Sequence, residues 1–211
     1  MIRYVMETLE ALDIESTVVV VGYEAEAVAK ALHEHAADPT RVNFAEQIIQ
    51  RGTGDAVYVG LGAYEPRELD DENFDLIVLP GDAPLLTSST LIALHREHVD
   101  SRAAATLLTA KLENPSGYGR VVRDEQGQID RIIEHADATT AELEILEVNA
   151  SIYCFDRSAL VGALEKVDSQ NAQGEYYLTD VIKVLRDTGH SIAALTTDDP
   201  DEVRGVNDRQ Q

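Results

Sequence analysis

The sequence predicts an α/β domain in which helices flank a mixed, mainly parallel sheet, with a smaller antiparallel part. In the first half of the chain, β-branched or apolar runs alternate with segments of helical periodicity, as in parallel sheets. After Lys111, three strand-like segments follow one another with no long helix between them, which indicates antiparallel pairing. The 211 residues are enough for one substantial core. We therefore expect one domain, residues 1–211, with halves 1–111 and 112–211.

The first half begins with apolar residues at helical spacing from Ile2 to Leu12, followed by a β-branched run that ends at Gly22. The short apolar run at 76–79 is typical of a central strand, and Thr87 is a good N-cap for the helix after it. In order, we expect a helix at 2–12, a strand at 17–22, a helix at 24–35, a strand from 41, a helix at 55–64, a strand at 76–79 and a helix ending near 98.

The second half shows a different pattern, in which strands follow one another before helices return. No internal repeat or low-complexity segment interrupts it. In order, we expect strands at 103–111, 119–123, 128–134 and 145–155, helices at 157–166 and 179–187, and a last strand at 191–195.

The composition is strongly acidic, with 39 acidic and 17 basic residues and a formal charge of −22 spread along the chain. Such a surface repels nucleic acid and anionic membranes, so we expect neither as a partner. No apolar run approaches the length of a membrane span, and the N-terminus lacks the features of a secretory signal. The only cysteine, Cys154, has no internal disulfide partner. These features favour a cytoplasmic protein.

Asp82 is the strongest single candidate for a functional residue. It follows a predicted central strand through the turn Pro80-Gly81, at the edge where open α/β sheets bind ligands. A carboxylate in that position suits a hard cation such as Mg²⁺. The alternative is an aspartate in a turn or at the entry to a helix.

Two glycine-containing motifs are weaker candidates. Gly52-Thr53-Gly54 precedes a helix and would let backbone N–H groups approach a ligand, although a tight turn explains it as well. Gly117-Tyr118-Gly119-Arg120 suits a loop against a sugar, with Arg120 available to a phosphate. A plain hairpin turn is the alternative reading of that motif.

Four further side chains divide into two groups. Glu134 and Asn149 lie at or within predicted strands and have the directional hydrogen-bonding groups that recognise sugar hydroxyls or an amide, but each also fits a surface role. His135 has no assigned partner, and Cys154 lies in an apolar strand without an activating base. We assign the last two no catalytic role and interpret Cys154 as a small core residue.

Several motifs in order match one family. The chain resembles the uridylyltransferase domain of the bacterial bifunctional N-acetylglucosamine-1-phosphate uridylyltransferase/glucosamine-1-phosphate acetyltransferases, which implies a Rossmann-like nucleotidyltransferase fold related to the GT-A type. The resemblance covers nearly the whole chain, and its block at 171–180 is the most specific. The matching segments are Gln47 with Gly52-Thr53-Gly54, Pro80-Gly81-Asp82, Gly117-Tyr118-Gly119-Arg120, residues 134–139, residues 171–180 and residues 205–209.

The resemblance implies that N-acetylglucosamine 1-phosphate attacks UTP, giving UDP-N-acetylglucosamine and pyrophosphate. Residues 1–111 would then form the nucleotide side and 112–211 the sugar side. By matching position, Asp82 and Asn207 would hold Mg²⁺. The other implied contacts are Gln47, Gly52 and Thr53 with uracil, Pro80 and Gly81 with nucleotide and sugar, and Gly119, Glu134, Asn149 and Thr179 with N-acetylglucosamine.

The sequence also departs from the family pattern. Family members open with a strand and a Leu-Ala-Ala-Gly-x-Gly-Thr-x-Met loop followed by Arg and Lys, and this sequence starts after them. Without that strand we expect an exposed hydrophobic sheet edge and reduced stability. The sequence ends at Gln211, where the family continues into a β-helix acetyltransferase domain, so we expect no acetyl transfer by these residues. Two alternatives stay open: a non-catalytic module that binds sugar phosphates or UDP-sugars, and another sugar-1-phosphate nucleotidyltransferase.

Overall fold

The computed structural model describes residues 1–33, 38–64 and 74–205. Helices and strands alternate in the first half, and strands cluster in the second. The elements in order are α1 Ile2–Leu9, β1 Thr17–Val21, α2 Ala25–His33, β2 Val42–Glu46, α3 Thr53–Leu61, β3 Asp75–Val78, α4 Ser88–Ser101, β4 Ala105–Lys111, β5 Arg120–Arg123, β6 Ile129–Ile133, α5 Thr140–Leu143, β7 Glu147–Asp156, α6 Arg157–Leu164, α7 Asp180–Asp187 and β8 Ile192–Thr196, with 3-10 helices at Pro39–Arg41 and Pro200–Val203.

The strands form two sheets. β1 and β2 pair in parallel as a two-stranded sheet, and the other six strands form a sheet in the order β6-β5-β7-β4-β8 with β3 also on β7. Among the described strands, β1–β2 and β4–β8 are parallel, whereas β3–β7, β4–β7, β5–β6 and β5–β7 are antiparallel. The predicted mixed α/β fold is confirmed, but its pairing is less parallel than expected.

The long strand β7 explains this difference. Val148 pairs with Arg120 of β5 near the beginning of β7, whereas Tyr153 pairs with Val78 of β3 near its end. β4 runs antiparallel along β7 as well, with a register shift after Leu107. Ser151 has φ 58°, and it lies between the β5-paired and β3-paired parts of β7. One strand therefore joins the two halves of the chain through antiparallel pairs.

Local side-chain chemistry determines several helix ends. The predicted cap Thr87 is confirmed, since its Oγ1 accepts a hydrogen bond from the N–H of Thr90 at 3.3 Å. The short helix α5 was not predicted. It begins with a capping box in which Thr139 and Glu142 bond each other's backbone N–H groups. No helix among residues 1–33, 38–64 and 74–205 is long and apolar enough to cross a bilayer.

The sheet around β4 and β7 carries the main core. Residues 105–110 of β4 are buried throughout, because apolar clusters cover both faces of the sheet. A smaller cluster, formed by Val19, Val21, Leu32 and Val42, lies between the β1–β2 sheet and its helices. The chain therefore has one large core and one small satellite core.

An open space separates the two sheets. β1 pairs only with β2 and β3 only with β7 in the described part of the chain, and both strands line a cavity of about 1190 Å³. Val18 and Val20 lie on one side of this cavity, and Ile77 and Leu79 lie on the other. These four side chains are half-buried and form apolar walls of the cavity.

Candidate functional site

The cavity between the sheets also has a polar end. Five residues predicted from the sequence line it, although they belong to distant parts of the chain. Ser151 and Tyr153 of β7 contribute to the same lining. The predicted residues in the lining of this cavity are Thr53, Pro80, Gly81, Glu134 and Thr179.

A short network of hydrogen bonds holds the first turn of α3 against the segment before α7. The N–H of Gly54 donates to the carbonyl of Tyr176 at 2.8 Å, and the N–H of Tyr176 donates to the carbonyl of Arg51 at 2.7 Å. The N–H of Leu178 donates to Thr53 Oγ1 at 3.0 Å. Thr53 therefore accepts one structural hydrogen bond, which leaves its O–H to donate. The network fixes Thr53 beside Thr179.

Gly52 is required by this network. Its φ of 109° favours glycine, and a Cβ built there would lie 2.6 Å from the Tyr176 carbonyl oxygen. Gln47, at the end of β2, is buried, and its Nε2 donates to the carbonyl of Gly52 at 3.1 Å and to Asp55 Oδ2 at 2.8 Å. Neither Gly52 nor Gln47 lines the cavity, and both hold the loop that presents Thr53. Their contacts with uracil stay predictions.

Asp82 lies in the turn after β3, and its carboxylate is half-buried. It forms no hydrogen bond or ion pair with any described residue, which is unusual for a half-buried carboxylate. A Cβ on Gly205 would lie 3.2 Å from Asp82 Oδ2, so the backbone near the end of the chain returns to this carboxylate. Asn207 follows two positions later and lies outside the described residues. The oxygen-only chemistry of Asp82 fits a hard divalent cation.

The sugar-side candidates are linked to each other by hydrogen bonds. Thr179 Oγ1 donates to Glu134 Oε1 at 2.9 Å, and the pKa of Glu134 is raised, chiefly by burial. Asn149 Nδ2 donates to the Tyr153 hydroxyl at 2.7 Å, whereas its buried Oδ1 has no partner. The N–H of Asn149 donates to the carbonyl of Gly119 at 2.9 Å. Asn149 therefore offers a desolvated, unused acceptor.

Arg120 is not available to a phosphate, so that interpretation is wrong. Its side chain is 1% exposed, and its guanidinium group bonds the carbonyl of Tyr118 and lies 3.5 Å from His135 Nδ1. Burial lowers its pKa. The motif around Arg120 is a turn that leads into β5, and the buried guanidinium group bonds this turn at the carbonyl of Tyr118.

Sequence reasoning missed Tyr153 and Ser151 as lining residues. Together with Asn149 they stand at alternate positions of β7, and alternate strand residues share a face. The alternate spacing from Asn149 was therefore the sequence signal that could have identified Ser151 and Tyr153. The confirmed part of the Cys154 interpretation is its burial in the same strand.

Asp180 provides a pH-dependent test of the acidic surroundings of the site. Burial, followed by Asp168, Glu134 and Asp137, raises its pKa from 3.8 to about 6. The folded state therefore binds this proton more tightly than the unfolded state, so the stability that Asp180 contributes is lost as pH rises through about 4 to 6. We expect Asp180→Asn to raise the Tm by a few degrees at pH 7.5, and this gain to shrink steadily toward pH 4.5.

Thermal unfolding monitored by circular dichroism across this pH range measures the effect. Asp187→Asn, on the exposed end of the same helix, is the matched control, because no buried charge is removed there. A gain for Asp180→Asn that does not vary with pH would contradict this account.

Comparisons with known proteins give matches along almost the whole chain. The family model described as "Nucleotidyl transferase" matches residues 1–200. Proteins named "Bifunctional protein GlmU" from Bacillus thuringiensis (strain Al Hakam), Bacillus cereus (strain AH820) and Bacillus anthracis are each 43% identical to this chain over 209 residues. Each match covers 99% of this chain and 43% of the relative, so the chain spans less than half the length of these relatives.

Proposed function

Because the chain belongs to the nucleotidyl transferase family, we propose that it forms UDP-N-acetylglucosamine and pyrophosphate from UTP and N-acetylglucosamine 1-phosphate. The observation that carries this proposal is the shared cavity. Thr53, which the resemblance assigns to uracil, and Pro80, which it assigns to both nucleotide and sugar, line the same space as Glu134 and Thr179, which it assigns to the sugar. We assign residues 1–111 to the nucleotide side and 112–211 to the sugar side.

In this reaction a phosphate oxygen of the sugar phosphate bonds to the α-phosphorus of UTP while the bond to the leaving pyrophosphate breaks. Such a step depends mainly on positioning and charge neutralisation. The hydrogen bond from the N–H of Leu178 uses Thr53 Oγ1 only as an acceptor. The O–H of Thr53 can therefore donate to a uracil carbonyl. The Gln47 side chain keeps that loop in place through Gly52. The nucleotide is thereby oriented by a rigid loop.

On the sugar side, a Glu134 carboxylate accepts hydrogen bonds from sugar hydroxyls, and Thr179 holds it in place. The unpartnered Oδ1 of Asn149 suits the N–H of an acetamido group, since a buried acceptor gains most from a matching donor. A sugar without that N–H would leave the acceptor unsatisfied. We therefore propose that Asn149 favours N-acetylglucosamine over glucose.

Nucleotidyltransferases of this kind generally use a divalent metal, and we propose Mg²⁺ held by Asp82 and Asn207. When bound, Mg²⁺ neutralises phosphate charge and orients the two phosphates. The formal charge of −22 repels anionic substrates, which makes such neutralisation important here. The close approach of Gly205 to Asp82 supports this pair, because it brings the chain next to the carboxylate two positions before Asn207. We further propose that the protein acts in the cytoplasm and supplies a peptidoglycan precursor.

Pyrophosphate release from UTP, N-acetylglucosamine 1-phosphate and Mg²⁺ tests the proposal directly. The chain is compared with a version extended upstream, with each substrate omitted in turn, and with the other nucleoside triphosphates and glucose 1-phosphate as competitors. Release by either version that requires both substrates and prefers UTP supports the proposal. Titration calorimetry with UDP-N-acetylglucosamine runs in parallel. Binding without release from either version would favour a non-catalytic module, and neither binding nor release would reject both.

A further inference from the structure

A second cluster of ligand-type side chains lies at the start of β3, where Asp75 also lines the cavity. Asp75, His98 and Cys154 each place one donor atom within 4.8 Å of the others. His98 and Cys154 are buried, with His98 4% exposed, whereas the Asp75 side chain is 30% exposed. The cluster therefore combines two buried donors with one that reaches the surface, which provides an entry path for an ion.

The register of the sheet brings these side chains together. Cys154 pairs with Ile77 of β3 on one side and with Thr106 of β4 on the other. Asp75 lies two residues before Ile77, so it shares the face on which Cys154 stands. His98 projects from α4, which packs against β4 and β7. Three separate elements thus supply one donor each.

Two hydrogen bonds orient the donors. His98 Nδ1 lies 2.9 Å from Thr106 Oγ1, which leaves Nε2 directed toward Asp75, 3.5 Å from Oδ1. His95, one turn earlier on α4, places its Nε2 2.8 Å from Asp75 Oδ2. Metal-binding histidines usually bond a second group through the other ring nitrogen, and ligating carboxylates are usually held in the same way. Thr106 and His95 occupy these two supporting positions.

We propose that Asp75, His98 and Cys154 bind a zinc ion, with His95 as a positioning residue and water in the fourth position on the exposed side. A nitrogen, a sulfur and an oxygen donor suit Zn²⁺ and other borderline-soft ions, whereas Mg²⁺ prefers oxygen alone. Zinc bonds of about 2.0–2.3 Å require donor atoms about 3.3–3.8 Å apart. The 3.5 Å between His98 Nε2 and Asp75 Oδ1 already falls in this range. All three donor atoms lie within 4.8 Å of one another, so the remaining contraction is at most about 1–1.5 Å.

Coordination by Cys154 requires its thiolate form. On binding, a Zn–S bond forms and the thiol proton passes to solvent.

The site is distinct from the one around Asp82. Asp75 is the first residue of β3, and Asp82 follows the end of the same strand. An ion at Asp75 would tie the start of β3 to α4 and β7.

Cobalt and zinc titrations of the chelator-treated protein in excess Mg²⁺ test the proposal, since Mg²⁺ occupies hard oxygen sites. We expect Co²⁺ to bind one per chain with a thiolate-to-metal charge-transfer band that Zn²⁺ removes. We expect Zn²⁺ at about a hundredfold over its Kd to raise the Tm by about 5–10 °C. Asp75→Asn, at a partly exposed position, should weaken binding at least tenfold. Cys154→Ser should abolish the charge-transfer band.

His190→Gln is the matched control, because it removes an exposed histidine far along the sequence from the cluster. The affinity of the His190→Gln variant for Co²⁺ and Zn²⁺ should equal that of the unmodified protein. Asp75→Asn keeps the test decisive if Cys154→Ser fails to fold. Cobalt binding without a charge-transfer band would overturn the proposal, and so would an unchanged affinity in Asp75→Asn.

Discussion

Gly52→Ala is expected to lower the free energy of unfolding by about 4 kcal/mol and the Tm by roughly 8–16 °C. The backbone at Gly52 has φ 109° and ψ 177°, a region that residues with a Cβ rarely adopt. The added methyl group would also lie 2.6 Å from the Tyr176 carbonyl oxygen, which belongs to a fixed backbone segment. Urea unfolding measures the loss.

A matched control separates the two contributions. Gly127 has φ 78°, but a Cβ there meets nothing within 4 Å, so Gly127→Ala carries only the backbone strain. We expect that variant to lose about 1 kcal/mol. Equal losses at the two positions would show that the contact with Tyr176 is unimportant. A larger loss at Gly52 would confirm that the hydrogen-bond network between the two halves requires a residue without a side chain at position 52.

Asp82→Asn is expected to lower the rate of pyrophosphate release by about 10²-fold or more, because it replaces a charged oxygen ligand by a neutral one. The free carboxylate has no partner among the described residues, so the Tm should not fall. The measurement is the rate as a function of Mg²⁺ concentration, made on whichever version of the chain shows release. We also expect the remaining rate to depend less steeply on Mg²⁺ concentration.

Asp100→Asn is the control for Asp82→Asn. Asp100 is exposed near the end of α4, and in the described part of the chain its ion pair is with Arg96, a surface pair that contributes little to stability. Its rate should match that of the unmodified protein. An Asp82→Asn variant with full activity and an unaltered requirement for Mg²⁺ would remove Asp82 from the proposed metal site.

The fold was predictable where the information is local. β-branched runs indicate β1, and Thr87 marks the start of α4 through its hydroxyl. The four-residue helix α5 has too few residues for a periodic signal, and only its capping box at Thr139 and Glu142 identifies it. The antiparallel partners of β7 come from three distant segments. Pairing of that kind is a tertiary property that alternation along the chain does not reveal.

The candidate site shows the same division. Motif resemblance predicted Thr53 and Thr179 as site residues, and both line one cavity. It did not reveal why Gly52 is needed, because the network that requires it joins residues 125 positions apart. Arg120 was misread since its position in a turn motif says nothing about its burial. The cluster of Asp75, His98 and Cys154 was invisible because it depends on sheet register.

The separation of the two sheets has a consequence for local unfolding. Among residues 1–33, 38–64 and 74–205, the β1–β2 sheet shares no strand pair with the main sheet, and its own core is the small cluster of Val19, Val21, Leu32 and Val42. Regions with few buried contacts open at lower free energy than the global unfolding transition. We therefore expect the β1–β2 unit to open locally before the opposite wall of the cavity, which β3 and β7 form. Entry of a ligand to the cavity would then depend on local opening of the β1–β2 unit.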